Sequence, residues 1–376
     1  MAEKVLIVGA GQAGMQCAVS LRQGGFEGSI DLYGEEAEPP YERPPLSKAV
    51  LKGEQEAERT YLRPKTFYAD QNITLHLGQR LSADNLPEHD ALVIATGMRP
   101  RILPGYNPEK THVLRTLADT ARLQGAVAAE AKVLILGAGF IGLEVAAALA
   151  DKVDQIDIFD LAPQVMGRAA APAVAASAQA SLEARGVTFH MGQSISADEA
   201  EAYDLILMAV GGMPNDELAV DLNLCEPGTL SVDLNGQVKD GIYAIGDVAI
   251  SAHDFLASPL RLESVDQAVY GAKCVAAHIL GQPRPAAAAP WFWSFQGDWK
   301  LQMVGIWSVE LRVVPFGGMP GEAAFSLFGF EGDTLKAVQC VNRPADFAAA
   351  RRLLGKDLPG FEAQSAEEGF KLKALL

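Results

Sequence analysis

Lys4-Val5-Leu6-Ile7-Val8-Gly9-Ala10-Gly11-Gln12-Ala13-Gly14 is the stretch that decides the fold. An apolar run with the look of a buried strand enters three glycines spaced G-x-G-x-x-G, and residues 14–22 then carry a helical period. Glycines at this spacing allow a tight turn and a close backbone approach to a pyrophosphate. The helix N-terminus adds free N–H groups and partial positive charge. One such motif is weak evidence, but this one recurs. Lys132-Val133-Leu134-Ile135-Leu136-Gly137-Ala138-Gly139 repeats it, Gly142 completes the glycine spacing, and residues 142–151 carry the helical period. Two copies in one context predict two dinucleotide sites, on Gly9, Gly11 and Gly14 and on Gly137, Gly139 and Gly142. The copies stand too far apart for a solenoid, so they mark two domains of like build.

Each copy proceeds to a second short strand, Ile30-Asp31-Leu32-Tyr33 or Ile156-Asp157-Ile158-Phe159. Each also has a later apolar strand that runs into glycine, Ala91-Leu92-Val93-Ile94-Ala95-Thr96-Gly97 or Leu205-Ile206-Leu207-Met208-Ala209-Val210-Gly211. Strands alternating with helices predict an α/β fold with mostly parallel sheets. An acid at the end of the second strand is expected to hold a ribose diol. Asp160, 18 residues after Gly142, fills that place in the second copy, and Glu35, 21 residues after Gly14, in the first. Asp31 is expected to face solvent. A carboxylate repels a 2′-phosphate and the nearest arginine, Arg168, is eight residues on, so Asp160 favours NADH over NADPH. A third glycine site, Ile245-Gly246-Asp247, precedes a helical stretch over 265–280, and residues 281–290 read as a linker. Beyond it lie Trp291, Trp293, Trp299 and Trp307, short alternating segments and a helix over 344–354, which predict a smaller α+β domain.

Composition narrows the function. A chain of 376 residues that is 49% apolar and 21% charged has the length for two or three packed domains. No apolar run approaches the roughly 20 residues that span a bilayer, and no signal segment precedes Lys4, so a bacterial cytoplasmic location without membrane attachment is expected. A net charge of −16 argues against nucleic acid as a partner. Cys17, Cys225, Cys274 and Cys340 are isolated, with no C-x-x-C pair and no metal-ligand spacing, so no metal site is expected.

The chain resembles the FAD-dependent ferredoxin reductases that serve bacterial Rieske oxygenases and cytochromes P450. The resemblance runs from residue 4 to about 350. Tyr41-Glu42-Arg43-Pro44-Pro45-Leu46-Ser47-Lys48, Tyr61-Leu62-Arg63, Ala95-Thr96-Gly97 and Gly142-Leu143-Glu144 carry it. So do Gly246-Asp247, Arg261-Leu262-Glu263-Ser264-Val265, Pro290-Trp291-Phe292-Trp293-Ser294 and Val341-Asn342-Arg343-Pro344. It implies a glutathione-reductase-like architecture with two Rossmann-type nucleotide-binding domains and a small C-terminal α+β domain. FAD would occupy residues 1–108 and 240–288, NADH residues 109–239, and the last domain residues 289–376.

The resemblance also implies roles. Lys48 would sit beside the flavin and pair with Glu144, and Trp293 would present an aromatic face to flavin and nicotinamide. Arg43, Thr96, Gly97, Asp247 and Val265 would join the FAD site. Leu81 and Lys132 fall where the family contacts the adenosine half, and Gly211 closes the NADH side. Disulfide reductases of this fold carry a cysteine pair in the helix that here reads Pro45-Leu46-Ser47-Lys48, so disulfide exchange is disfavoured. The implied acceptor is a [2Fe–2S] ferredoxin, on a chain that is a monomer or weak dimer. Its docking face would be a basic patch on an acidic molecule, with Lys273, Lys300, Arg351 and Arg352 as candidates. Rubredoxin, oxygen, or a redox-sensing role like that of apoptosis-inducing factor are the alternatives. The segments 77–91 and 194–204 are shorter than the family's, and Phe295 stands where an acid is common.

Overall fold

The computed structural model describes residues 2–167 and 169–376, so Arg168 lies outside the described residues. The chain forms two compact units. The first comprises Met1–Arg43, Ala57–Arg99 and Gly212–Ala287. Its sheet runs Gln237–Lys239, Ile242–Ala244, Ala91–Ile94, Lys4–Val8, Ser29–Tyr33, Ile73–His76. All neighbours are parallel except the first two, which form an antiparallel hairpin. Val5 and Ile7 pack on one face with Met15, Leu21 and Val275, the latter from helices Gln12–Gln23 and Val265–Ile279. Leu6 and Val8 pack on the other face with Leu92, Leu218, Leu230 and Val232. Burial on both faces is why this strand reads as an unbroken apolar run.

That second core corrects the expected boundary. Residues 212–239 were placed in the NADH domain, yet Leu218, Ala219, Leu230 and Val232 are buried among Leu6, Val8 and Leu92 of the first sheet.

The second unit comprises Pro44–Glu56, Pro100–Gly211 and Ala288–Leu376. Its parallel sheet runs Thr111–His112, Leu205–Met208, Lys132–Leu136, Gln155–Asp160, Val187–Met191. The glycine-loop strand thus has the same neighbours as in the first unit. An antiparallel sheet follows, in the order Trp291–Gln296, Trp299–Gly305, Thr334–Val341, Phe325–Glu331, Arg312–Phe316. Helix Pro344–Leu353 buries Phe347, Ala350 and Leu353 against Val304, Phe328 and Val338 of that sheet. The segment Pro44–Glu56, expected with the FAD domain, groups with this unit, and Gln124 Nε2 donates to the Val50 carbonyl at 2.6 Å. Among the described residues no helix is long and apolar enough to cross a membrane.

The internal repeat reaches further than the glycine loops. Ile73-Thr74-Leu75-His76-Leu77-Gly78 matches Val187-Thr188-Phe189-His190-Met191-Gly192. His76 stacks on Tyr33 and His190 on Phe159, each with ring centroids 4.1 Å apart. Asp31 meets His76 at 2.8 Å, and Asp157 meets His190 at 3.3 Å. Asp31 is therefore paired across the strands instead of facing open solvent.

Candidate functional site

The two glycine loops have the same construction. Gly9 adopts φ +117° and Gly137 φ +106°, a region closed to most side chains. A Cβ at Gly9 would lie 2.2 Å from the Ala95 carbonyl oxygen, and one at Gly137 would lie 2.4 Å from that of Ala209. At Gly14 and Gly142 a Cβ would meet the carbonyl oxygens of Gly9 and Gly137 at 2.0 and 2.1 Å. The first and third glycines are thus demanded by the fold itself. The middle ones differ, because a Cβ at Gly11 or Gly139 would meet nothing within 4 Å. These two are the N-caps of helices Gln12–Gln23 and Phe140–Leu149, and neither helix start is capped by a side chain. First-turn N–H groups facing open space fit a pyrophosphate at both loops.

The strand ends differ between the copies. Asp160 Oδ2 accepts from the Ala138 N–H at 2.7 Å and Oδ1 from the Ala162 N–H at 2.8 Å. The carboxylate is thereby fixed to its own glycine loop, and each oxygen keeps a lone pair for a ribose hydroxyl. Glu35 is exposed and lies 3.4 Å from Arg80. Gly211, at φ +87°, accepts from the Arg101 N–H at 2.9 Å beyond the strand Leu205–Met208. Lys132 does not join this loop. It begins the strand whose other end carries Gly137, and its N–H donates to Asp204 at 2.9 Å.

Thr96 and Gly246 lie beside the first loop and its helix, a Cβ at Gly9 standing 2.8 Å from the Thr96 nitrogen. Gly246, at φ +74°, would place a Cβ 3.0 Å from the Ala13 Cβ in the first turn of the helix Gln12–Gln23, and Asp247 follows it. Arg43 donates to Glu36 at 2.7 Å and to the Tyr41 hydroxyl at 3.1 Å, and Tyr41 donates to Glu36 in turn. Burial works against the Arg43 charge, but Tyr41, Glu36 and Asp247 outweigh it and leave its pKa above the ordinary arginine value. Glu36 was not foreseen. Nor was Asn215, which locks Thr96 and Gly97: Thr96 Oγ1 donates to its carbonyl at 2.6 Å, and its N–H donates to the Gly97 carbonyl at 2.9 Å. Val265 opens its helix behind the N-cap Ser264, whose hydroxyl accepts from Gln267. Leu81 is half-buried against the Leu6 and Leu92 core.

In the second unit Lys48 Nζ meets Glu144 Oε2 at 2.6 Å, and Glu144 is only 4% exposed. Ser47 Oγ donates to the same oxygen at 2.5 Å, and Ser294 Oγ donates to Oε1 at 2.8 Å. Both serines lie within sequence motifs, Tyr41–Lys48 and Pro290–Ser294, but a serine carries no mark of such a contact in sequence. Local structure explains the placement. Pro44–Ser47 winds a short 3₁₀ turn, and Lys48 caps the helix Ala49–Lys52 behind it. Trp293 stacks on Trp291 at 5.1 Å, and Phe292 meets Phe140, the first residue of the helix after Gly139, at 4.7 Å. The Arg351 guanidinium lies 5.0 Å over the Trp291 ring, and the Lys300 ammonium 5.8 Å from the Phe295 ring. Lys273, Lys300, Arg351 and Arg352 are all exposed.

Two pyrophosphate cradles, with an ion pair where a disulfide reductase would hold cysteines, define an oxidoreductase that uses two dinucleotides. The chain belongs to the pyridine nucleotide-disulphide oxidoreductase family, whose pattern it matches over residues 3–272, and it carries that group's reductase C-terminal domain over 291–376. FAD and NAD(H) are the cofactors of this family. Rhodocoxin reductase of Rhodococcus erythropolis is 36% identical, over 98% of this chain and 93% of the relative. Rubredoxin-NAD(+) reductase of Pseudomonas putida is 34% identical, over 90% of this chain and 96% of the relative. The reductase in a covalent putidaredoxin reductase–putidaredoxin complex superposes with a TM-score of 0.91, at 33% identity over 99% of this chain and 98% of that one.

Proposed function

We propose that the chain oxidises NADH at the expense of FAD and passes the electrons singly to a [2Fe–2S] ferredoxin that feeds a Rieske oxygenase or cytochrome P450. The doubled glycine cradle carries this reading, since each middle glycine leaves room for a pyrophosphate and for nothing in the protein. Bound FAD supplies the step from two-electron to one-electron chemistry. The balance is one NADH and two oxidised ferredoxins giving NAD⁺, two reduced ferredoxins and a proton.

The chain's own residues do the positioning. Gly9, Gly11 and Gly14 with the Gln12–Gln23 helix hold the FAD pyrophosphate. Glu35, Leu81 and, by resemblance, Lys132 take the adenosine half. Arg43, Thr96, Gly97, Asp247 and Val265 take the remainder. Gly137, Gly139, Gly142 and Gly211 receive NADH, and Asp160 binds its ribose diol and excludes a 2′-phosphate. Lys48 balances negative charge on the reduced cofactor, with Glu144 keeping it aimed, and Trp293 shields the reacting rings from water.

The test is NADH-driven reduction of cytochrome c with and without an added [2Fe–2S] ferredoxin. Strong dependence on ferredoxin is expected, and equal rates without it would overturn the reading. Rubredoxin is the second acceptor to try, because one relative of 34% identity is named for it.

A further inference from the structure

We infer that Ser294, together with Ser47, is a positioning residue of the redox centre: it fixes the Glu144 carboxylate so that Lys48 faces its target in one orientation. This rests on the assignment of Lys48 to the flavin. Glu144 projects from helix Phe140–Leu149, and its carboxylate, 4% exposed, can only accept. Lys48 Nζ at 2.6 Å and Ser47 Oγ at 2.5 Å both meet Oε2, and both come from one short turn. A carboxylate held at one oxygen can still swivel, because its terminal torsion is broad and two-fold. Ser294 Oγ stops that motion by donating to Oε1 at 2.8 Å from a separate element, the strand Trp291–Gln296.

Gln296 lies beside this contact on the same strand. It is 2% exposed and turns its amide Nε2 toward Ser294 Oγ at 3.5 Å. Its Oε1 is buried with no hydrogen-bond partner among the described residues. An orphaned buried carbonyl is costly. Ser294 Oγ thus accepts from Gln296 on one side while its own proton goes to Glu144 on the other.

The test measures the midpoint potential of the bound flavin by dye-coupled titration in the holoenzyme, with Ser294→Ala, Lys48→Gln and the double variant. Losing one hydrogen bond to a charged group should disfavour the reduced cofactor by about tenfold, which is about 30 mV for a two-electron couple. Lys48→Gln should shift the potential the same way and at least as far, and the double variant should match Lys48→Gln alone. A wild-type potential in Ser294→Ala beside a shifted Lys48→Gln overturns the proposal, as do additive shifts. An unshifted Lys48→Gln with FAD bound removes the flavin assignment itself, and the proposal with it. Should Ser294→Ala not retain FAD, Ser47→Ala takes away a donor from the same carboxylate and carries the same expectations.

Discussion

Replacing the middle and last glycines of each loop by alanine separates ligand binding from folding. Gly139 adopts φ −78° and ψ −177°, and Gly11 φ −89° and ψ −165°, backbone that alanine accepts without strain. A Cβ at either meets nothing within 4 Å, so the fold loses only the difference between glycine and alanine at an N-cap, on the order of 0.5 kcal/mol. The bound pyrophosphate loses more. A methyl group that displaces it from two first-turn N–H donors, each worth about 1.5–3 kcal/mol to a charged acceptor, removes about 3 kcal/mol, roughly a hundredfold in affinity. Gly139→Ala should therefore raise the NADH KM about a hundredfold while its flavin content and melting temperature stay near wild type. Gly11→Ala should instead emerge with little flavin. Gly14→Ala and Gly142→Ala push a Cβ to 2.0 and 2.1 Å of a backbone carbonyl, and overpacking of this kind costs about 1–3 kcal/mol or more. They should lower the melting temperature whether or not nucleotide is present. Flavin absorbance, NADH–ferricyanide kinetics and thermal melts read these outcomes. An unchanged NADH KM in Gly139→Ala, with the protein folded, would refute the assignment of the second cradle.

Asp160→Ala should raise the NADH KM by about tenfold, since it loses ribose hydrogen bonds to a charged acceptor. Adding Leu161→Arg, at a position 77% exposed beside it, should shift the kcat/KM ratio toward NADPH; an unaltered ratio would sink the ribose role. Lys273→Glu should slow ferredoxin reduction and spare NADH-to-ferricyanide activity, and equal loss of both would remove it from the docking face. Burial, helped by Arg122, holds His112 below the usual histidine range, and burial does the same for His253 against the opposing pull of Asp254 and Asp266. Each stays neutral in the fold at a pH where the unfolded chain, with a histidine value of about 6.5, takes up a proton. Their stability contribution is thus complete above that value and declines as pH falls toward the depressed folded value. Melts from pH 8 to 5 should show this decline, and His112→Asn should flatten it; an unaltered slope would count against His112.

The strands around each glycine loop and their parallel sheets were legible because strands buried on both faces announce themselves as apolar runs ending in glycine. The return of the chain at Gly212 was not. Met213-Pro214-Asn215 shows no shift in composition, and only the burial of Leu218 and Leu230 reveals which sheet they serve. The seat of Glu144 was hidden for another reason. Ser47 and Ser294 stand 97 and 150 residues from it, and a serine that donates to a buried carboxylate reads in sequence like any other serine. Lys132 was assigned to the adenosine half by resemblance alone, and it begins the strand Lys132–Leu136, at the end opposite the Gly137 loop.

Divergence inside the repeat explains why the two acids were found at unequal distances from their glycines. Gly9 N–H donates to the Tyr33 carbonyl and Gly137 N–H to the Phe159 carbonyl, both at 2.8 Å, so Tyr33 and Phe159 are equivalent. The residue after each is therefore the same position, and it is Gly34 in one copy and Asp160 in the other. A Cβ at Gly34 would stand 2.7 Å from that of Ala10, so the first loop closes over this position and only glycine fits. The acid moves one residue outward, to Glu35. In the second copy the position is open enough for Asp160 to reach the Ala138 N–H. Offsets of 21 and 18 residues then follow: two of the three extra residues come from the longer first helix, 12 residues against 10, and one from this outward shift. The duplicated scaffold thus keeps its glycine loops alike and differs at a single register position after the second strand, where the approach of one loop decides which side chain can stand.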